Sequence, residues 1–156
     1  MKALHKQQGF TLVELVVVII ILGILAVSVA PKFFSAKGFA EYGYQSDIIA
    51  KLRLIQTKAM QQTNTAYCHR VLITASQLGA PDDCDNNPSF SLAWQPSATG
   101  LVITASDNVT LSSNIAGNSF TFDSMGRPSC GTCIISVNGE QTLQIKIESE
   151  GYIHAL

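Results

Sequence analysis

Charge is scarce in this chain. Asp, Glu, Lys and Arg make up 13% of its 156 residues, about half the usual share for a soluble protein. Ten cations nearly cancel eleven acids. No run of Lys and Arg occurs, which argues against a phosphate-binding surface and hence against nucleic acid as a partner. G-x-S-x-G, P-loop and H-E-x-x-H patterns are all missing, so the sequence offers no catalytic template, and neither an enzyme activity nor a cofactor is expected. The length suits one compact domain plus one special segment and excludes a multidomain enzyme.

Much of the charge deficit sits in one place. Over residues 10–30 the only ionisable side chain is Glu14, inside the run "FTLVELVVVIIILGILAVSVA". As a helix rising ~1.5 Å per residue, this run would reach about 31 Å, close to the ~30 Å hydrocarbon layer of a bilayer. The unbroken β-branched stretch from Val16 to Ile21 would form an indifferent helix in water. In lipid the backbone must satisfy its own hydrogen bonds, and helix prevails. Lys2, His5 and Lys6 ahead of the run favour a cytoplasmic start. A lone carboxylate in hydrocarbon costs about 3 kcal/mol, so Glu14 calls for a role. A secretory signal peptide cut before Pro31, or a plain membrane anchor, would account for the apolar run but leave Glu14 idle. Gly23 and Pro31 are the weak points of such a helix, costing about 1 and 3 kcal/mol relative to alanine.

Downstream the apolar period changes. Ile48, Leu52, Ile55 and Ala59 fall at i, i+4, i+7 and i+11, one face of an amphipathic helix meant to lie on a sheet. Gly38 and Gly43 predict a kinked or frayed connection before it. From Ala66 on, short β-rich pieces alternate with turn residues: "AYCHRVLIT", "SFSLAW", "GLVITAS", "SFTFDS", "CIISVNG" and "QTLQIKIESEGYI". The alternation of Leu143, Ile145 and Ile147 reads as a half-buried strand, and "VNGE" carries the Asn-Gly hairpin signal. One long helix followed by an antiparallel sheet is an α+β layout.

All four cysteines, Cys68, Cys84, Cys130 and Cys133, follow the apolar run. In an exported domain an even number suggests disulfides, with three connectivities open. Chain neighbours are favoured, Cys68 with Cys84 and Cys130 with Cys133, for about 3 and 2 kcal/mol on the loop-entropy model. The "CGTC" spacing also suits a redox pair or half a zinc site, but no further Cys/His pair supports zinc. "PDDCDNNP" is rich in carboxylates, yet it lacks the EF-hand spacing and reads as a solvated loop, so no metal is expected. His69 and His154 read as surface or packing residues, and Trp94 with the tyrosines as core or interface aromatics.

"KQQGFTLVELVVVIIILGILAVSVAP" resembles the prepilin leader and N-terminal helix of type IV pilins and of the pseudopilins of type II secretion. The resemblance implies cleavage between Gly9 and Phe10 by a prepilin peptidase, methylation of the new Phe10 amine, and a role for Glu14 in meeting a neighbour's N-terminal amine during assembly. It implies four segments: a leader over 1–9, a transmembrane and assembly helix over 10–30, an amphipathic continuation over 31–62, and a disulfide-containing β-sheet head over 63–156. "FTFDSMGRPSCGTCIISVNGEQTLQIKIESEGYI" is similar to the C-terminal half of minor pilins and pseudopilins of the FimT and GspH type, through Phe122, Gly126, Arg127 and Pro128. The apolar helix is also similar to pilins of the mannose-sensitive haemagglutinin pilus. The partners so implied are a major pilin, other minor pilins, the peptidase and an inner-membrane assembly platform. The subunit would be single-pass in the inner membrane with its head in the periplasm, and extracellular once assembled. A pseudopilin of a secretion system, or a tip module binding DNA or carbohydrate, are the competing readings.

Overall fold

The computed structural model describes residues 10–34, 39–62, 69–82 and 88–156. The chain divides into two units, Met1–Ala36 and Lys37–Leu156. In the first, helix α1 spans Leu12–Phe34. It runs through both Gly23 and Pro31, so the expected boundary between residues 30 and 31 falls inside a helix. A proline removes only its own N–H bond and strains one turn, a cost of about 3 kcal/mol that a helix can carry. Beyond its chain neighbours and its own helix backbone, no atom among the described residues lies within 4 Å of where a Cβ on Gly23 would stand. Side chains of α1 are described over 12–26, 15 residues or about 22 Å of helix. Among the described residues, no helix is long and apolar enough to cross a membrane.

The second unit is built on helix α2, Ala40–Gln61. Gly43 lies within it. Ile48, Leu52, Ile55 and Ala59 are all buried, the stripe the period predicts, and each of the three larger side chains contributes about 2 kcal/mol. The buried stripe extends a further two turns through Gln45 and Glu41, where polar residues hid it from the sequence pattern.

Eight strands are described: β1 Arg70–Ile73, β2 Gln77–Gly79, β3 Gly100–Val102, β4 Thr110–Ser113, β5 Ser119–Thr121, β6 Cys133–Asn138, β7 Thr142–Ile147 and β8 Ile153–Ala155. They form two antiparallel four-stranded sheets, ordered β3-β2-β1-β5 and β4-β6-β7-β8, not the single sheet implied by the sequence. Strand β6 alternates buried and half-buried residues without a break. Its inner side chains Cys133, Ile135 and Val137 stand opposite Ile147, Ile145 and Leu143. They share one core with Val71, Leu78 and Phe120 of the first sheet and with the apolar stripe of α2.

"SFSLAW" is not a strand. Pro88 and Pro96 flank it and supply no N–H for a ladder. Trp94 instead closes a turn on Ser91, donates to the Ala80 carbonyl at 3.1 Å, and roofs the β2–β3 ladder. There a Cβ on Gly100 would come within 2.6 Å of the indole ring. The hairpin at "VNGE" is present, but Asn138 pairs with Thr142, so three residues rather than two make the loop, closed by Gly139 N–H to Gln141 O at 3.0 Å.

The open edge of β8 is covered from its own chain. Register places the Ile153 and Ala155 peptide groups away from β7. Arg53 donates to the Ile153 carbonyl at 2.9 Å, and the His154 ring lies 3.0 Å from the Ala155 carbonyl. An unpaired strand edge is a template for unwanted pairing, and charged or occupied edges suppress it.

Candidate functional site

Two groups of residues carry the features singled out in the sequence. The first begins the chain's first helix. Thr11 caps it: the Thr11 Oγ1 accepts the Glu14 N–H at 3.2 Å, and Leu15 N–H reaches the Thr11 carbonyl. Thr-x-x-Glu directly before an apolar run is a capping-box spelling, a signal legible in the sequence beyond the acid itself. Phe10 precedes the cap and is 86% exposed. Every large apolar side chain from Leu12 to Leu25 is also exposed, between 39% and 77%. Burying the open halves of these twelve side chains would gain on the order of 10 kcal/mol. That is a large fraction of a domain's whole stability, so covering this surface would be strongly favourable. Gly9 lies outside the described residues.

The second group is the turn "FDSMGRP" after β5. Asp123 organises it. Its Oδ1 accepts the backbone N–H groups of Met125 at 2.9 Å and Arg127 at 2.8 Å, while its Oδ2 takes the Arg127 Nε at 3.0 Å. The Arg127 backbone N–H, desolvation-opposed, is the main reason the Asp123 carboxyl stays below its ordinary range. Phe122 and Pro128 bridge across the turn, and Phe122 packs edge-on to Phe120 at 5.2 Å.

Gly126 takes φ +78, a left-handed conformation that strains other residues. Met60 Sδ and Gln56 would also crowd a Cβ there. The Gly126 carbonyl accepts the Gln56 Nε2 at 2.7 Å, and the same amide donates to Gly151 O at 2.7 Å. One α2 side chain thus holds two turns. The Gly-Arg-Pro spelling is accounted for: glycine for the bend and the close approach, arginine for the Asp123 clasp, proline for the bridge.

At the other end of α2, Glu41 is fully buried. Its Oε1 accepts Gln141 N–H at 3.3 Å, and its Oε2 has no partner among the described residues. Glu41 stands in the first turn of α2, where free N–H groups favour a carboxyl oxygen, and Gly139 leaves it room, since a Cβ there would lie 3.0 Å from Oε2. His154, which shows no carboxylate partner in the sequence, has one here: its Nε2 is 3.2 Å from Glu148 Oε1. Lys146 donates to the same oxygen at 2.9 Å, and these two contacts, Lys146 first, hold the Glu148 carboxyl below its usual range.

Cys130 and Cys133 are joined in a disulfide at the entry to β6. Cys68 and Cys84 lie outside the described residues. Among the described residues, no three His, Cys, Asp or Glu side chains gather.

Against this geometry, comparison with known proteins gives two matches. The family described as the prokaryotic N-terminal methylation motif matches residues 4–30. No curated protein matches the chain. Among solved structures, the type IV minor pilin FimU of Pseudomonas aeruginosa (strain PAO1) superposes with a TM-score of 0.51, covering 74% of this chain and 91% of that one at 13% identity. The chain carries an N-terminal methylation motif of the prepilin kind, joined to an α+β body. That body has the fold of a type IV minor pilin.

Proposed function

We propose that this chain is a minor subunit of a type IV surface pilus of the mannose-sensitive haemagglutinin type, used in adhesion, and a structural subunit rather than an enzyme. In this reading a prepilin peptidase cuts between Gly9 and Phe10 and the Phe10 amine is methylated. The run over 10–30 holds the subunit in the inner membrane with the head in the periplasm until an assembly platform passes it to the filament. Major pilin and other minor pilins then cover the helix, and the subunit becomes extracellular. Residues 31–62 continue the helix and 63–156 form the head, stapled by Cys130–Cys133 and by Cys68–Cys84. Gly23 and Pro31 are where the helix would give way on entering the filament.

The observation that carries this proposal is α1: a capped helix whose apolar side chains are uncovered on all sides, beginning within the residues 4–30 that the methylation motif matches. In a filament core, Glu14 would meet the amine of a neighbouring copy. Two unit charges ~4 Å apart attract by roughly 4 kcal/mol at an effective dielectric of 20, comparable with the cost of desolvating them. The pair therefore fixes register more than it adds stability.

The test is mass spectrometry of the protein taken from sheared surface filaments. An N-terminal peptide beginning at methylated Phe10 is expected; a retained nonapeptide or a start at Pro31 overturns the proposal. A pseudopilin of a secretion system shares the leader and helix. Recovery of the chain only with secretion components, never with surface filaments, would favour that alternative.

A further inference from the structure

A cleft of about 380 Å³ opens where the two sheets part, lined by Asn114, Ile115, Ala116, Ser119, Ser129, Cys130 and Thr132. It lies between the loop joining β4 to β5 and the loop joining β5 to β6, and the disulfide closes one wall. Its volume is at the small end for ligand pockets, suited to a molecule of one ring.

The hydrogen-bonding groups around it are unbalanced. Asn114 Oδ1 already accepts Ile134 N–H at 2.8 Å, which leaves its amide NH₂ as the unused half. Ser129 Oγ accepts Thr121 N–H at 3.0 Å, so its hydroxyl proton is available. Ser119 Oγ accepts Arg70 Nη1 at 3.4 Å, and its proton is likewise available. No hydrogen bond of Thr132 exists among the described residues. The wall therefore offers hydroxyl and amide donors, and no carboxylate lines it. Behind Ser119 stands the Arg70 guanidinium, whose buried Nε has no partner and which makes no ion pair among the described residues.

Arg70 is half-buried, and a buried guanidinium N–H without an acceptor among the described residues favours an acceptor or counter-charge in its vicinity. Ile115 and Ala116 supply an apolar floor for a ring face.

We propose that this cleft is a binding site for a hydroxylated carboxylate the size of one sugar ring, an acidic sugar unit. The Ser119, Ser129, Thr132 and Asn114 groups would donate to its oxygens, and Arg70, acting through Ser119, is a positioning residue that supplies the charge.

The inference does not depend on filament membership, since it concerns only the second unit. The experiment is a ¹⁵N NMR titration of the full-length protein in detergent micelles with D-glucuronate, D-glucose and acetate as probes. Saturable shifts with glucuronate, centred on residues 114–119 and 129–132, are expected, with glucose and acetate each binding at least tenfold more weakly.

Thr132→Val, a change that removes no internal hydrogen bond, is expected to weaken glucuronate about fivefold. Arg70→Met should weaken it at least tenfold, with Arg70→Lys recovering part of the loss; each variant is checked for an unchanged amide spectrum away from the cleft. Equal binding of glucose overturns the anionic assignment, and equal binding of acetate overturns the ring. Shifts that do not saturate, or that persist unchanged in Thr132→Val and Arg70→Met, overturn the site.

Discussion

Replacing Gln56 by methionine should cost the head about 2–3 kcal/mol. The Gln56 amide gives one N–H to the Gly126 carbonyl and the other to Gly151, and both glycines are buried. Methionine keeps the length and the apolar stem but donates nothing, so two buried acceptors lose their partner at about 1–1.5 kcal/mol each. For a unit of this size, that lowers the melting temperature by roughly 8–15 °C.

The assay is urea unfolding of the full-length protein in detergent, followed by the near-ultraviolet signal of Trp94, alongside a thermal scan. Glutamate at the same position sharpens the test. At neutral pH it cannot donate and sets a charge against two carbonyls, so Gln56→Glu should be the worse variant and should regain stability on acidification as its carboxyl acquires a proton. Thr57→Ala, on the exposed flank of the same turn of helix, is the control and should move stability by less than about 0.5 kcal/mol. A Gln56→Met protein within 0.5 kcal/mol of the parent would refute the reasoning, because it would mean that water replaces both bonds without cost.

Gly151→Ala should be more severe still, above about 3 kcal/mol by chemical denaturation, since its Cβ would stand 2.2 Å from the Gly126 carbonyl oxygen in a backbone of φ +93. Changing Cys130 and Cys133 together to serine should cost about 2 kcal/mol, the loop-closure value for so short a ring; a variant as stable as the parent would show the staple to be idle. Glu148 and Asp123 both have carboxyls held below their ordinary values. Their contribution is therefore complete above the unfolded-state range near pH 4 and is lost as the pH falls through the lower folded values. Lys146→Met should lower stability at neutral pH and shrink the loss on acidification in a series of urea melts, with variant and parent converging at low pH; an unchanged profile would count against the Lys146 contact. Glu14→Ala should be processed and inserted normally yet be sparse in filaments on immunoblots of sheared material; normal incorporation would remove the assigned role.

The parts of the fold legible in the sequence were those with an apolar period. Ile48, Leu52, Ile55 and Ala59 name the packed face of α2, and the alternation through Cys133 to Val137 and Leu143 to Ile147 names the central hairpin. Where polar residues take buried positions, the pattern goes silent: Glu41 and Gln45 extend the α2 stripe unseen, and Gln56 looks like any surface glutamine until two turns converge on it from 70 and 95 residues away. Strands β2 and β4 escaped because three or four residues such as "QLG" and "TLSS" hold too little period to read, while the aromatic "SFSLAW" mimics a strand between two prolines. The division into two sheets is a consequence of long-range pairing, β1 with β5 and β4 with β6, which no local pattern encodes. At the other end of the chain, the Gly9-Phe10 junction and Glu14 stood out at once, because a single acid in twenty-one apolar residues needs no tertiary context to be conspicuous.

The plugged rim of β8 bears on how such subunits can join. With Arg53 and His154 occupying the outward carbonyls of the last strand, an incoming strand would have to displace both side chains before it could pair along this edge. Residues on this flank can therefore vary without turning it into a seam for sheet growth.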